Sequence, residues 1–150
     1  MIGLIQRVRE AEVWVEDQCI SNIGEGILLF AGISRDDDLQ DAVYLARKIA
    51  NLRIFSDEKG ALNLSLLQRG GEVLVVSQFT LLADTRKGRR PSFTEAAPPS
   101  EAEALYKNLI DELRKLGIPV KEGKFQAIMD VKLINHGPVT IIIDSKDHKT

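Results

Sequence analysis

The segment Ser77-Gln78-Phe79-Thr80-Leu81 places two hydroxyls and an amide directly after the most apolar run of the chain, Val73-Leu74-Val75-Val76. A buried strand that ends in such residues brings polar groups to the rim of a sheet, where functional sites commonly lie. The hydroxyls could act as nucleophiles, or main-chain N–H groups could form an oxyanion hole. The plainer interpretation is that they bond local backbone groups, which is common for Ser and Thr. A hydroxyl nucleophile needs a base, and neither histidine has a recognisable sequence relation to this segment. This argues against a nucleophilic role.

A second polar segment, Asn135-His136-Gly137-Pro138-Val139-Thr140, contains a Gly-Pro pair, which is a strong turn signal. It predicts a turn between two strands, and the plainest interpretation is a hairpin connection without chemistry. X-Pro bonds are cis in only about 5–6% of cases in folded proteins, so the pair by itself does not establish a cis bond. His136 could serve as a general base near neutral pH, or it could be an exposed turn residue.

Four cations lie within five positions, namely Arg86, Lys87, Arg89 and Arg90. Guanidinium groups match phosphate oxygens in a planar fork, so an Arg-rich loop favours phosphate binding. The alternative is a solvated loop face. Arg7 and Arg9, in the first predicted strand, could likewise be solvated.

Metal chemistry is not indicated, because Cys19, His136 and His148 are scattered and show no ligand spacing. We therefore predict no metal and no cofactor. The lone Cys19 cannot form an intrachain disulfide, which suits a reducing compartment. No apolar run approaches the ~18 residues of a membrane span, and no secretory signal is visible at the amino terminus. These features predict a cytoplasmic protein that does not associate with membranes.

Composition and hydrophobic periodicity predict one α+β domain over residues 1–150. The chain has 150 residues, 44% of them hydrophobic and 28% charged, which are globular values. Strands are predicted over residues 2–8, 11–15, 19–23, 26–33, 52–55, 73–76, 120–124, 128–135 and 139–144. One helix is expected after the N-cap candidates Asp36-Asp37-Asp38, and another between a Ser100–Glu103 capping box and Gly117. Strands and helices do not alternate, so we expect a largely antiparallel, curved or barrel-like sheet with two outer helices.

Taken together, these segments closely resemble the D-aminoacyl-tRNA deacylase family over essentially the whole chain. The resemblance rests on five blocks: Ile5-Gln6-Arg7-Val8, Asn51-Leu52-Arg53-Ile54-Phe55, Ser77-Gln78-Phe79-Thr80-Leu81, Lys87-Gly88-Arg89-Arg90-Pro91-Ser92-Phe93 and Gly137-Pro138-Val139-Thr140. It implies the deacylase fold and a hydrolase that cleaves the ester of D-aminoacyl-tRNA at the tRNA 3′ end. It also implies hydrolysis of glycyl-tRNA mischarged on tRNA-Ala.

The resemblance further implies a homodimer with its active site at the subunit interface. In the family, Gly137-Pro138 of one subunit enters the pocket of the other, with a cis bond that turns both carbonyls towards the substrate's amino acid. An L side chain would collide with these carbonyls, whereas a D side chain or glycine would not. Arg7 matches the residue that holds this element, since its five donors suit the fixing of carbonyls.

The remaining site residues follow from the same resemblance. Ser77, Gln78, Phe79 and Thr80 line the ester, and main-chain N–H groups polarise its carbonyl. A positioned water and the RNA's own 2′-hydroxyl could then suffice, with Thr80 as nucleophile the second choice. Phe125, Ala127 and Met129 are expected to line the pocket, and the cluster of Arg86, Lys87, Arg89 and Arg90 is expected to bind tRNA phosphates.

Two rival classes of protein remain open at this stage. A non-catalytic nucleic-acid-binding module, based on the Arg86–Arg90 cluster, would bind with a steep salt dependence and turn nothing over. A small-ester hydrolase with Thr80 as nucleophile would ignore tRNA and lose its activity on Thr80→Ala.

Overall fold

A computed structural model of the protein describes residues 1–149, and its sheet is organised by one long strand, β1 (Ile2–Val15). Strands β2 (Gln18–Ile23) and β3 (Gly26–Gly32) pair antiparallel with β1 one after the other along the same edge. The prediction of separate strands over 2–8 and 11–15 was wrong. Arg9 and Glu10 are exposed and interrupt the apolar alternation, but the strand pairing continues through them.

The sheet extends from β3 through two parallel strands. A two-stranded ribbon, β4 (Phe55–Ser56) and β5 (Leu62–Leu64), stands apart from the sheet. Strand β6 (Glu72–Ser77) pairs with β3, and β7 (Val120–Glu122) pairs with β6. Strand β2 also contacts β6 and β7, so the sheet curves into a nearly closed barrel. The predicted α+β class with a curved sheet is therefore confirmed.

Both predicted long helices are present, although the second begins differently from the prediction. In α1 (Leu39–Asn51), the Asp38 side chain accepts from backbone N–H groups of the first turn, and the Asp41 side chain accepts from the Asp38 N–H. In α3 (Pro99–Lys115) the predicted Ser100–Glu103 capping box was wrong. Pro99 is the first helical residue, where the missing N–H of proline costs nothing and its fixed φ favours the helix.

A short helix, α2 (Leu66–Arg69), was not predicted, although it has a local capping box. The Ser65 hydroxyl accepts from the Gln68 N–H, and the Gln68 amide accepts from the Ser65 N–H. Within residues 1–149, no helix is long and apolar enough to cross a membrane.

Alternate residues of β3 and β6 face two separate cores. Leu29 and Val75 pack on the side of α1 and α3, whereas Leu28 and Leu74 pack inside the curve of the sheet. A strand that is buried on both faces is apolar at every position, which explains the run from Val73 to Val76. Ser77 therefore lies at the end of a strand that is buried on both faces.

Candidate active site

A cavity of about 730 Å³ lies where β3 and β6 end. Its walls are the ends of these strands, the segment 93–102 with the first turn of α3, and the loop 125–131. Arg35, Phe93, Pro98 and Pro99 line it as well, and the sequence analysis missed them. The irregular, proline-rich stretch 83–99 was the available signal, because it predicts an ordered excursion without saying which wall it forms.

The backbone turns sharply at the rim of this cavity. The Gln78 N–H closes the β3 pairing by donating to the Ala31 carbonyl at 2.8 Å, and a 3₁₀ turn follows over Phe79–Leu82. The first N–H groups of a helical turn have no partner within the turn. Those of Phe79 and Thr80 have no acceptor among the residues that the structure describes. The rim therefore offers two adjacent main-chain donors.

The polar side chains of this turn bond each other. The Gln78 amide donates to the Thr80 hydroxyl. Ser77, Gln78 and Phe79 line the cavity, whereas Thr80 does not. Phe79 is 57% exposed and meets Phe93 edge to face, with ring centroids 5.0 Å apart. In the part of the chain that the structure covers, no histidine, aspartate or glutamate lines the cavity, so it contains no general base for a hydroxyl nucleophile.

The loop that faces the 3₁₀ turn contributes Phe125, Ala127 and Met129, the three residues that the sequence analysis assigned to the pocket. Phe125 packs on Tyr106 at 5.7 Å between centroids, and the Tyr106 hydroxyl donates to the Val75 carbonyl at 3.0 Å. Burial raises the pKa of Tyr106, so this phenol stays protonated as a donor. The structure thus joins the pocket loop to the strand that carries Ser77.

Gly137 and Pro138 occupy a bulge, and the predicted turn between two strands was wrong. Strand β8 (Asp130–Asp144) is continuous and pairs antiparallel along the other edge of β1. Residues 136–139 stand opposite the single residue Arg7, because the pairing shifts between Gln6 and Val8. The Gly137-Pro138 peptide bond is cis, and both residues are exposed. Neither of them lines the cavity of its own chain.

Arg7 is only 7% exposed and holds this bulge by hydrogen bonds. Its Nε donates to the His136 carbonyl at 3.0 Å, and its Nη1 donates to the Ile54 carbonyl at 2.8 Å. A Cβ on Gly137 would lie 2.8 Å from Nη2 of Arg7, so glycine is required where the guanidinium packs. Arg7 is therefore a buried structural cation, whereas Arg9 is solvated as its alternative interpretation held.

His136 lies in the bulge and not in the cavity. Desolvation lowers the pKa of its imidazole, and the neighbouring Arg9 and Arg7 lower it further. A lowered pKa keeps the ring neutral at physiological pH, and His136 is not among the residues that line the cavity of its own chain.

The four clustered cations, Arg86, Lys87, Arg89 and Arg90, lie in one loop, which we call the cationic loop. Asp84 and Ser92 close this loop by exchanging backbone hydrogen bonds of 2.8 and 2.9 Å. Arg86 donates to both carboxylate oxygens of Asp84, which lowers the pKa of Asp84 to about 2. The charge of Arg86 is thereby neutralised by the Asp84 carboxylate. Lys87, Arg89 and Arg90 are exposed and have no acidic partner within residues 1–149, so three of the four predicted cations remain available.

Comparison with known proteins gives a consistent result along the whole chain. Residues 4–144 match the family described as D-Tyr-tRNA(Tyr) deacylase. The chain is 55% identical to the D-aminoacyl-tRNA deacylase of Thermodesulfovibrio yellowstonii, over 97% of this chain and 100% of the relative. It is 57% identical to that of Thermomicrobium roseum, over 96% of this chain and 94% of the relative.

Solved structures show the same fold. A structure titled c-Myc DNA Unwinding Element Binding Protein superposes with a TM-score of 0.90 at 41% identity, covering 96% of this chain and 98% of the other. A probable eukaryotic D-amino acid tRNA deacylase shares the fold at 18% identity, with a TM-score of 0.80 over 95% of this chain and 98% of the other. The protein is thus an enzyme of the hydrolase class. The chain belongs to the D-Tyr-tRNA(Tyr) deacylase family.

Proposed function

We propose that the protein hydrolyses the ester that joins a D-amino acid to the 3′-terminal ribose of tRNA. Membership of the family supports this substrate class. The observation that carries the proposal is the cavity of about 730 Å³ that Phe79 lines, because the N–H of Phe79 is unpaired and the unpaired N–H of Thr80 follows it in the same turn. Two such donors beside an apolar cavity suit an acyl group whose carbonyl must be polarised.

The reaction needs little more than this polarisation. An aminoacyl ester of ribose is already reactive, and a single oxyanion donor is worth about 3–4 kcal/mol. Water attacks the carbonyl carbon, the N–H groups of Phe79 and Thr80 stabilise the oxyanion, and the C–O bond to ribose then breaks. The proton that the attacking water loses passes to the released ribose oxygen, and the RNA's neighbouring 2′-hydroxyl assists this transfer. This route explains why the cavity is lined without a general base.

Selection between D- and L-amino acids is assigned to a homodimer with shared active sites. The bulge at Gly137 and Pro138 is exposed and lies outside the cavity of its own chain, so it is available to a second subunit. Carbonyls of the partner's Gly137 and the partner's Pro138 would face the substrate's α-carbon. They repel an L side chain, whereas a D side chain points away and glycine has none. Glycyl-tRNA mischarged on tRNA-Ala is then also a substrate.

The cationic loop is assigned to the RNA and not to the chemistry. Lys87, Arg89 and Arg90 are exposed and unneutralised, and Phe93, six residues beyond Lys87, lines the cavity. The loop therefore lies close enough to reach the phosphates that precede the tRNA 3′ end. We assign the protein to the cytoplasm, where aminoacyl-tRNA is made and used, and no cofactor is needed.

The test is deacylation of one tRNA charged in turn with a D-amino acid, its L-enantiomer and glycine. We expect the D-ester and the glycyl ester to be hydrolysed and the L-ester to be spared. Binding of tRNA without hydrolysis of any ester would favour the nucleic-acid-binding module. Equal hydrolysis of small esters, with no preference for tRNA, would favour the small-ester hydrolase.

A further inference from the structure

A second cavity, an open groove of about 890 Å³, follows the outer face of α1 and is separate from the candidate active site. Residues of α1 that face the core alternate with those that line the groove, at helical spacing. The groove is completed by Leu52 to Ile54, which follow the helix, and by Leu62, Ile141 and His148. We call it the α1 groove.

The α1 groove is cationic and contains no compensating acid. Arg47, Lys48 and Arg53 are exposed and line it. In the described part of the chain none of the three has an acidic partner, and no aspartate or glutamate lines the groove. Cations elsewhere are commonly paired, as Lys107 is with Glu103. In a chain whose net charge is -2, three clustered and unpaired cations form a local positive surface that attracts an anionic ligand.

The shape of the groove suits an extended polyanion with flat groups. Tyr44 and His148 stack with ring centroids 3.9 Å apart and an interplanar angle of 9°, which provides a flat aromatic surface beside the cations. Val43 and Ile141 supply apolar floor. Phosphates interspersed with ribose and base rings match this alternation of charge and flat apolar surface.

The groove is physically joined to the Gly137-Pro138 bulge. Arg7 donates to the Ile54 carbonyl, at the edge of the groove, and to the His136 carbonyl, in the bulge. Ile141 lies in the same strand three positions beyond Pro138. Under the proposed function, the bulge of one subunit enters the cavity of the other. The α1 groove of the first subunit is then joined, through Arg7 and β8, to the element that enters the partner's cavity.

We propose that the α1 groove binds the phosphodiester backbone of the tRNA whose 3′ end occupies the partner subunit's cavity. The inference rests on the proposed function and adds a second RNA-binding surface to it, contributed across the dimer. Arg47, Lys48 and Arg53 contact phosphates, and the substrate is held by both subunits. Recognition here is independent of the amino acid, because the groove is remote from the ester.

The test compares two variants with the same loss of charge. One combines Arg47→Gln, Lys48→Gln and Arg53→Gln. The control combines Lys59→Gln, Lys107→Gln and Lys115→Gln on other exposed surfaces. The measurements are KM for D-aminoacyl-tRNA, KM for the D-aminoacyl ester of adenosine, and the salt dependence of tRNA binding. We expect the KM for D-aminoacyl-tRNA, divided by the KM for the D-aminoacyl ester of adenosine, to rise about tenfold or more in the groove variant only. Its salt slope should fall by about 2.1–2.7, at ~0.7–0.9 per lost phosphate contact.

An unchanged KM ratio and salt slope in the groove variant would overturn the proposal. Dissociation of this variant into monomers in sedimentation would also overturn it, since the groove would then contact a second copy of the chain. If the wild type fails to hydrolyse D-aminoacyl-tRNA, the proposed function fails separately. In that case, binding of uncharged tRNA still tests whether the α1 groove binds RNA. Weaker binding by the groove variant than by the control variant supports RNA binding by the groove.

Discussion

Thr80 carries a hydroxyl that could compete with water as the attacking group, and its surroundings favour water. Its oxygen accepts a hydrogen bond from the Gln78 amide, and the residue does not line the cavity. What Thr80 contributes to the rim is its main-chain N–H, which every residue except proline would supply. Its side chain is therefore dispensable for the proposed mechanism.

We predict that Thr80→Ala lowers kcat/KM for D-aminoacyl-tRNA by less than about tenfold, because the N–H donor remains. Steady-state deacylation kinetics provide the measurement, and Thr80→Ser is the matched variant that keeps the hydroxyl. A fall of ~10⁴-fold in the alanine variant, with activity retained in the serine variant, would instead establish covalent catalysis by Thr80.

Arg7 gives a second prediction for a single residue, because one guanidinium binds two carbonyls on different segments. A lysine keeps the charge but lacks the planar fork that reaches both acceptors. Hydrogen bonds to charged groups are worth about 1.5–3 kcal/mol, so the bulge loses a substantial restraint. We predict that Arg7→Lys raises hydrolysis of L- relative to D-aminoacyl-tRNA by about tenfold or more.

The ratio of D to L deacylation rates checks this prediction, with Arg9→Lys on the exposed surface as its control. Sedimentation and thermal unfolding would show that the Arg7 variant remains folded and dimeric. Equal losses of D and L activity in a folded dimer would mean that the bulge is only a scaffold.

At the scale of elements, local chemistry was predictable and long-range pairing was not. The start of α1 was predicted from the N-cap candidates Asp36-Asp37-Asp38, and in the structure Asp38 caps the helix within one turn. The bulge in β8 was missed because it depends on how β1 pairs with residues more than a hundred positions away. A Gly-Pro pair looks the same in a hairpin turn and in a bulge. The bulge differs from a hairpin turn in packing on the buried cation of Arg7. The residues around Arg7 in the sequence do not indicate that it is buried.

The same distinction applies to the candidate site. Ser77, Gln78 and Phe79 follow directly from the strand that precedes them, so their place at a sheet rim could be inferred from pattern. Phe125 and Met129 were assigned through resemblance, and the structure brings them to the same cavity. The role of Asp84 could not be inferred, because a carboxylate two positions before Arg86 neutralises it only in the folded loop.

The loop closed by Asp84 and Ser92 yields a prediction at this scale. Lys87→Gln combined with Arg89→Gln should weaken tRNA binding and lower the salt slope by about 1.4–1.8, at ~0.7–0.9 per contact. Fluorescence titration of tRNA at several salt concentrations provides the slope, and Lys107→Gln with Lys115→Gln is the control. A slope equal to that of the control would leave this loop as an ordinary solvated surface.

In the whole molecule, charge is segregated and not merely balanced. The chain carries 20 basic and 22 acidic residues, yet two exposed clusters of three cations have no acidic partner in the described structure. One is the loop with Lys87, Arg89 and Arg90, and the other is the α1 groove. Under the proposed function, local positive surfaces on a protein of slightly negative net charge would attract RNA while the remaining surface limits non-specific binding.

Strand β8 leaves an apolar surface that one chain by itself does not cover. It pairs with β1 on one side, and Ile134 and Ile142 are 48% and 68% exposed. An edge strand with exposed apolar side chains favours pairing with another chain, and here it also carries the Gly137-Pro138 bulge. The surface that would hold two subunits together is thus continuous with the element that each would insert into the other.

We predict that the active form is a homodimer and that activity depends on it. Sedimentation at micromolar concentration should show two chains, and Ile134→Asp with Ile142→Asp should shift the protein to monomers because buried unpaired carboxylates oppose association. D-aminoacyl-tRNA deacylation should fall with the dimer fraction, since each cavity then lacks its partner's bulge. Ile20→Asp, at a comparably exposed isoleucine of β2, is the control and should leave both properties unchanged. A monomeric variant that kept full activity and full rejection of L-substrates would show that each chain builds its own site, and the shared-site mechanism would have to be abandoned.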